Sequence, residues 1–158
     1  MWILVRVGVA HVILFVLEVA TSIAAPQEMP PELLALAARA RVGPVASWCR
    51  AEFRSGHPGA FAVGLTSAGG GGRYVALDSD GSVTELGSFK RSADFSCYSR
   101  VQAEKLAVTI RQSDTIQGHI APRWNTTVVC GFIDDTAAVC WQYSPDDRAF
   151  VEVGGWVT

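Results

Sequence analysis

Residues 126–143, TTVVCGFIDDTAAVCWQY, contain two β-branched, aromatic-rich segments on either side of a short acidic stretch. Such segments are typical of strands, and a three-residue loop at 134–136 would place Cys130 directly opposite Cys140. Directly opposed Cβ atoms in an antiparallel pair are about 4.5–5.5 Å apart, which is close to the separation that a disulfide needs. The stretch therefore predicts a hairpin that is closed by a Cys130–Cys140 disulfide.

The sequence contains four cysteines, and the other two are Cys49 and Cys97. Four cysteines allow three pairings, and the hairpin register favours Cys130–Cys140 with Cys49–Cys97 as the second bridge. A zinc site is the alternative, but it needs closely spaced cysteines or flanking histidines, which are missing here. We therefore predict two disulfides, no metal ligands and no cofactor.

Residues 1–24 have the features of a secretory signal peptide. Arg6 provides a positive start, an apolar segment follows, and Ser22 and Ala24 would occupy positions −3 and −1 of a cut after Ala24. An uncleaved membrane anchor is the alternative, although Arg6 and Glu18 interrupt the apolar run that a spanning helix requires. We expect a periplasmic or secreted protein, which would meet a membrane only through an uncleaved leader. In such compartments disulfides persist.

The rest of the chain is long enough for one domain with a hydrophobic core. Residues 25–44 predict a proline-rich lead-in and an amphipathic helix at 32–42, and residues 45–158 predict a single β-rich domain. The apolar stripe of this helix recurs at i, i+3, i+4 and i+7 and consists of Leu33, Leu36, Ala37 and Ala40. The predicted fold class is α+β and predominantly antiparallel, with meander strands, one N-terminal amphipathic helix and disulfide staples.

Two further hairpins follow from local patterns. Asp80-Gly81 is a strong turn signal, and a two-residue turn there would pair Leu77 with Thr84. After a short helix at 100–105, residues 106–120 alternate between apolar and polar side chains, which predicts strands that are joined at 112–114.

The polar face of the hairpin predicted at 106–120 is the candidate binding surface. Arg111, Gln117 and His119 would lie on this face, which is directed towards solvent. The alternative is an ordinary solvated sheet face, which most polar stripes are.

Charge and motifs exclude several function classes. The formal net charge is −2, so there is no basic excess to attract nucleic acid. Beyond the leader the histidines are His57 and His119, and neither lies in a recognised catalytic motif. The acidic pairs at 134–135 and 146–147 are better explained by turn chemistry than by a two-carboxylate hydrolase. We predict no catalytic residues, and the sequence favours a non-enzymatic role without deciding the question.

The sequence leaves three functions open. The first is a non-catalytic binding or interaction module for an envelope or extracellular protein or a glycan. The second is a small secreted hydrolase or enzyme-inhibitor-like effector, and the third is a structural envelope component. Four tryptophans, Trp48, Trp124, Trp141 and Trp156, could stack on sugars or fill the core. The excess of arginine over lysine is typical of a GC-rich bacterial gene.

Overall fold

The computed structural model describes residues 28–91 and 93–158, so the predicted signal peptide lies outside the described residues. The helices are α1 (Pro31–Ala40) and α2 (Arg100–Gln112). The strands are β1 (Val45–Ala51), β2 (Ala60–Thr66), β3 (Gly72–Leu77), β4 (Val83–Phe89), β5 (Phe95–Tyr98), β6 (Gln117–Ile120), β7 (Val128–Phe132), β8 (Ala137–Ser144) and β9 (Ala149–Val157). No helix in this part of the chain is long and apolar enough to cross a membrane.

The strands form two antiparallel sheets. Sheet A has the order β1-β2-β3-β4, a simple meander, and sheet B has the order β5-β7-β8-β9-β6. In sheet B the short strand β6 pairs with β9 and completes one edge. The predicted α+β class with predominantly antiparallel strands is confirmed.

The sheets pack face to face, and each carries one helix on its outer face. Leu33 and Leu36 of α1 pack against one face of sheet A, while the buried stripe of α2 packs against the outer face of sheet B. Strand β2 illustrates the result: Phe61 and Val63 face α1, whereas Ala60 faces the other sheet. A strand that is covered on both faces has no polar side and appears in the sequence as a continuous apolar run. We call this four-layer arrangement the sandwich.

Aromatic rings interlock the two sheets at glycines. A Cβ atom on Gly131 of sheet B would lie 2.7 Å from the Tyr74 ring of sheet A, and one on Gly87 would lie 2.7 Å from the Trp141 ring. Each ring therefore occupies the space of a missing side chain. The Tyr74 hydroxyl lies 2.6 Å from the carbonyl oxygen of Phe132, and burial raises the pKa of Tyr74 well above its usual value.

Both predicted disulfides are present. Cys49 of β1 and Cys97 of β5 join the two sheets, with their Cα atoms 6.0 Å apart. Cys130 and Cys140 are directly opposed on β7 and β8, with their Cα atoms 4.0 Å apart. One bridge therefore clamps sheet to sheet, and the other closes a hairpin within sheet B. Two disulfides are compatible with an exported protein.

The loop of the β7–β8 hairpin has the predicted length and chemistry. The Ile133 N–H donates to the carbonyl oxygen of Ala137 at 2.9 Å. The carboxylate of Asp134 accepts from the backbone N–H groups of Thr136 (2.9 Å) and Ala137 (2.8 Å). These bonds hold the pKa of Asp134 below its usual range. Asp134 is therefore explained by turn formation, while the Asp135 carboxylate forms an ion pair with Arg91.

The prediction of a two-residue turn at positions 80–81 is wrong by one residue. Leu77 pairs with Val83 rather than with Thr84. The loop holds three residues and is closed by a 3.0 Å backbone hydrogen bond between the residues that flank it. Gly81 has a φ of 88°, the left-handed conformation that ends a three-residue hairpin loop. Asp-Gly occurs in both two-residue and three-residue hairpin loops. The sequence therefore predicts the position of this turn but not the register of the strands that it joins.

The hairpin predicted at 106–120 is wrong, because helix α2 continues through the first half of this stretch. The short helix predicted at 100–105 starts as expected: Ser99 and Gln102 form a reciprocal capping box. The buried stripe has helical spacing and consists of Ala103, Ala107 and Ile110. Val108, which the alternating pattern assigned to the core, is 42% exposed. The second half is the short strand β6, which pairs with β9.

Candidate ligand-binding cleft

A cleft of about 560 Å³ opens at one end of the sandwich. Three segments meet there: the loop after β1, the segment before β7, and the end of β8 with its turn into β9. We refer to this hollow as the cleft. Its lining residues are Phe53, Arg54, Ser55, His57, Trp124, Asn125, Thr126, Tyr143, Pro145 and Arg148.

The two sides of the cleft are bonded to each other across the sheets. The Glu52 N–H donates to Thr127 Oγ1 at 2.7 Å, and the Thr127 N–H donates to the Glu52 carbonyl oxygen at 2.8 Å. The Cys49–Cys97 bridge joins β1 to sheet B three residues before Glu52. These links tie the loop after β1 to the segment before β7.

Aromatic rings form the apolar part of the cleft. Phe53 is 1% exposed, and its ring meets the Phe150 ring edge to face at 4.9 Å. Tyr143 contacts Phe150 in the same manner at 5.4 Å. Trp124 is partly buried and packs against the core between α2 and sheet B, and it also lines the cleft. Exposed aromatic surface of this kind favours flat apolar groups.

A buried glutamine positions the Trp124 side of the cleft. Gln142 is fully buried, and its Oε1 accepts from the backbone N–H groups of Arg123 (2.9 Å) and Trp124 (3.3 Å). Its Nε2 donates to the carbonyl oxygens of Trp124 (2.8 Å) and Thr126 (3.2 Å). One side chain thus supplies the backbone of an irregular segment with partners that a strand would otherwise supply.

Two exposed arginines, Arg54 and Arg148, line the cleft. The Arg54 guanidinium lies over the Tyr143 ring, 5.0 Å from its centroid, and Arg54 Nη2 is 3.6 Å from Asp78 Oδ2 outside the cleft. Arg148 has no ion-pair partner among the described residues. None of the residues that line the cleft is acidic. An anion that entered it would meet cationic groups and no repelling carboxylate.

The backbone of Arg148 is unusual for an arginine. Its φ is 51°, in the left-handed region, where a residue with a Cβ costs roughly 1–2 kcal/mol relative to the right-handed conformation. Glycine is the usual choice at such a turn position. Arg41 at the end of α1 has the same geometry, with a φ of 55°, and does not line the cleft. A left-handed arginine therefore also occurs in this fold outside the cleft.

His57 lies in the cleft without the partners of a catalytic base. Its Nδ1 is 3.2 Å from the carbonyl oxygen of Ser55, and no carboxylate in the described part of the chain is hydrogen-bonded to it. In a catalytic triad of nucleophile, histidine and carboxylate, the carboxylate orients the imidazole through such a hydrogen bond. Within the described residues, no group of three or more histidines, cysteines or carboxylates could hold a metal ion.

The structure separates the three binding residues that the sequence suggested. Arg111 is on helix α2, while Gln117 and His119 are on strand β6. On β6, Gln117 and His119 lie on the opposite face from Ile120, which faces α2. They therefore point away from the helix that carries Arg111. None of the three lines the cleft. The predicted placement on one strand face is wrong because residues 106–112 are helical.

Sequence reasoning missed Arg54 and Arg148, and it left Trp124 undecided between core and ligand contact. The structure packs all four tryptophans against the core, Trp48, Trp124, Trp141 and Trp156, and Trp124 also lines the cleft. One local signal was available: Arg148 follows Pro-Asp-Asp in a tight turn, where glycine is expected. No local sequence pattern indicates that the loop after β1 meets this turn in the folded protein.

Comparison with known protein families, characterised proteins and solved structures finds no match to this chain.

Proposed function

We propose that this protein is an exported, non-catalytic binding module that holds a small organic anion in the cleft. The observation that carries the proposal is Arg148, a cation without an ion-pair partner in the described chain, in a cleft with no acidic lining residue.

The physical chemistry of the cleft favours a ligand with two parts. A carboxylate or phosphate would accept charge-assisted hydrogen bonds from Arg148 and Arg54, which are about twice as strong as neutral ones. A flat or ring-shaped part would lie against Trp124, since the Arg54 guanidinium already lies over the Tyr143 ring. The volume of about 560 Å³ is within the range of about 300–1,000 Å³ that is typical of small-molecule sites.

Export is part of the proposal. Both disulfides persist in an oxidising compartment such as the periplasm or the extracellular space, and residues 1–24 resemble a signal peptide. The proposed partner is therefore a molecule of the envelope or its surroundings. Nucleic acid and metal cofactors have no part in this proposal.

A pair of chromogenic sugars tests the proposal. We expect the described domain to bind p-nitrophenyl β-glucuronide about tenfold or more tightly than p-nitrophenyl β-glucoside in calorimetry, because only the glucuronide carries a carboxylate. Arg148→Gly should abolish this preference while the free energy of unfolding stays equal or rises by up to about 1 kcal/mol. Arg41→Gly is the matched control, since it removes the same side chain from the same backbone geometry outside the cleft.

Three results would count against the proposal. Equal affinity for glucuronide and glucoside would show that the ligand's carboxylate does not contribute to binding. An equal loss of preference in Arg41→Gly would show that net charge, rather than the cleft, matters. Release of nitrophenolate would favour the small secreted hydrolase over the binding module, since it requires cleavage of the glycosidic bond.

A further inference from the structure

Most of the charged side chains around the cleft are paired with a charge of opposite sign. Arg54 forms an ion pair with Asp78, with 3.6 Å between Nη2 and Oδ2, and both side chains line a smaller hollow beside the cleft, together with Arg148. Another hollow beside the cleft is lined by Glu52 and Arg100, and Arg100 forms an ion pair with a glutamate of its own helix. Of these three arginines, Arg148 is the one without an ion-pair partner in the described chain.

The carboxylate of Asp78 is held in place by the turn between β3 and β4. Its Oδ1 accepts from the backbone N–H of Ser79 at 2.8 Å, and its own N–H donates to the carbonyl oxygen of Ser82 at 3.0 Å. The Asp78 side chain is 16% exposed, whereas that of Arg54 is 46% exposed. Asp78 is therefore the more buried partner of the pair, and the turn fixes its position.

Arg54 is held by two further neighbours. Its guanidinium lies 5.0 Å from the centroid of the Tyr143 ring, which attracts a cation. Asp80 of the same turn adds a second negative charge nearby: hydrogen bonds from Ser82 and, after them, the charge of Arg54 hold the pKa of Asp80 below its usual range. The β3–β4 turn thus directs negative charge towards Arg54.

An ion pair acts on a third charge more weakly than a single ion does. For an anion in the cleft, the attraction by Arg54 is largely offset by the repulsion from Asp78. The cleft therefore offers N–H donors from two arginines but the uncompensated charge of only one, Arg148. A second negative charge on a ligand would meet no further free cation there, although removing it from water would still be costly.

We infer that Asp78 makes the cleft selective for singly charged anions, such as carboxylates and sulfate esters, over doubly charged ones, such as phosphate monoesters. This inference rests on the proposed function and specifies the charge of its ligand. Asp78 does not line the cleft, so it acts through Arg54, as a positioning residue that also compensates its charge.

Two aryl esters of the same shape test this selectivity. p-Nitrophenyl sulfate and p-nitrophenyl phosphate both end in a tetrahedral group with three terminal oxygens. At pH 8 the sulfate carries one negative charge and the phosphate carries close to two, and this pH is also above the usual pKa of histidine. Calorimetry in a low-salt buffer, where charges are least screened, should give the phosphate an affinity no higher than that of the sulfate.

Three variants assign the selectivity to Asp78. Asp78→Asn keeps an Oδ1 acceptor for Ser79 and removes the charge. It should strengthen sulfate binding about threefold and phosphate binding about tenfold, because the doubly charged ligand gains twice the electrostatic free energy. Asp78→Glu keeps the charge and should keep the wild-type ratio of affinities. Asp135→Asn is the matched control, since it removes a carboxylate from the ion pair with Arg91, in the β7–β8 loop away from the cleft, and should leave the ratio unchanged.

The outcomes separate this inference from the proposed function. If the wild type binds the phosphate about threefold or more tightly than the sulfate, the cleft remains an anion site and the inference is refuted; this comparison holds even if Asp78→Asn does not fold. The role of Asp78 is also refuted if folded Asp78→Asn keeps the wild-type ratio, or if Asp135→Asn changes the ratio as much. If neither ester binds more tightly than the neutral p-nitrophenyl β-glucoside, the proposed function fails as well.

Discussion

Replacing Cys49 and Cys97 together by alanine should lower the free energy of unfolding by about 4 kcal/mol. The two cysteines are 48 residues apart in sequence, so their bridge removes the entropy of a long loop from the unfolded chain. Cys130 and Cys140 are only 10 residues apart, and the same relation gives about 3 kcal/mol for their removal. The Cys49–Cys97 bridge is thus expected to stabilise the fold more than the Cys130–Cys140 bridge.

Equilibrium denaturation in guanidinium chloride measures this difference directly. Both double variants are compared with the oxidised wild type at one pH, and each free energy is extrapolated with that variant's own m-value, because removal of a bridge lets the unfolded chain expose more surface. The account would be contradicted if removal of the Cys130–Cys140 bridge cost as much as removal of the Cys49–Cys97 bridge. Loss of sugar binding should accompany the Cys49–Cys97 variant, because that bridge is close in sequence to the Glu52–Thr127 contact at the cleft.

Gln142→Leu should lower the free energy of unfolding by about 3 kcal/mol. The amide makes four hydrogen bonds to backbone groups of residues 123–126, and leucine leaves those groups without a partner. Each buried backbone group that loses its partner costs about 1–3 kcal/mol, less where water can reach it. Thermal or chemical denaturation measures the loss.

An exposed glutamine provides the control for this substitution. Gln117→Leu on strand β6 makes the same chemical change at an exposed site, where the expected effect is within about 0.5 kcal/mol. Gln142→Leu should also change the fluorescence of Trp124, whose backbone it no longer holds, and weaken glucuronide binding. A stable Gln142→Leu variant with unaltered binding would refute the positioning role of this residue.

The features that could be predicted from sequence are those encoded by neighbouring residues. The opposition of Cys130 and Cys140 follows from the loop length between them, and the capping box at Ser99 fixes where α2 begins. Each depends on a few consecutive residues. The remaining disulfide then followed by elimination, once one pair had been assigned.

The α2 region shows where local patterns fail. Leu106, Val108 and Ile110 alternate as in a strand, yet Ala103, Ala107 and Ile110 form the stripe that packs on sheet B. Alanines carry little hydrophobic signal, while β-branched residues carry a strong strand signal. The packing of the small alanines against a sheet decides the outcome, and that contact is tertiary.

The cleft could not be predicted because its parts are distant in sequence. Arg54, Trp124 and Arg148 come from three connections that only the packing of sheet A on sheet B brings together. The reciprocal bonds between Glu52 and Thr127 span 75 residues, and no pairing pattern in either segment indicates them. A binding site made of loops on a rigid scaffold is generally hidden from sequence periodicity.

The most direct test of the central claim is a titration of the ¹⁵N-labelled protein with p-nitrophenyl β-glucuronide, followed by two-dimensional NMR. The account predicts that backbone amide shifts change along residues 53–57, 123–127 and 146–148, and that Arg148→Gly suppresses these changes. Shift changes that instead centre on Arg111, Gln117 and His119, or an absence of change at millimolar ligand, would contradict it.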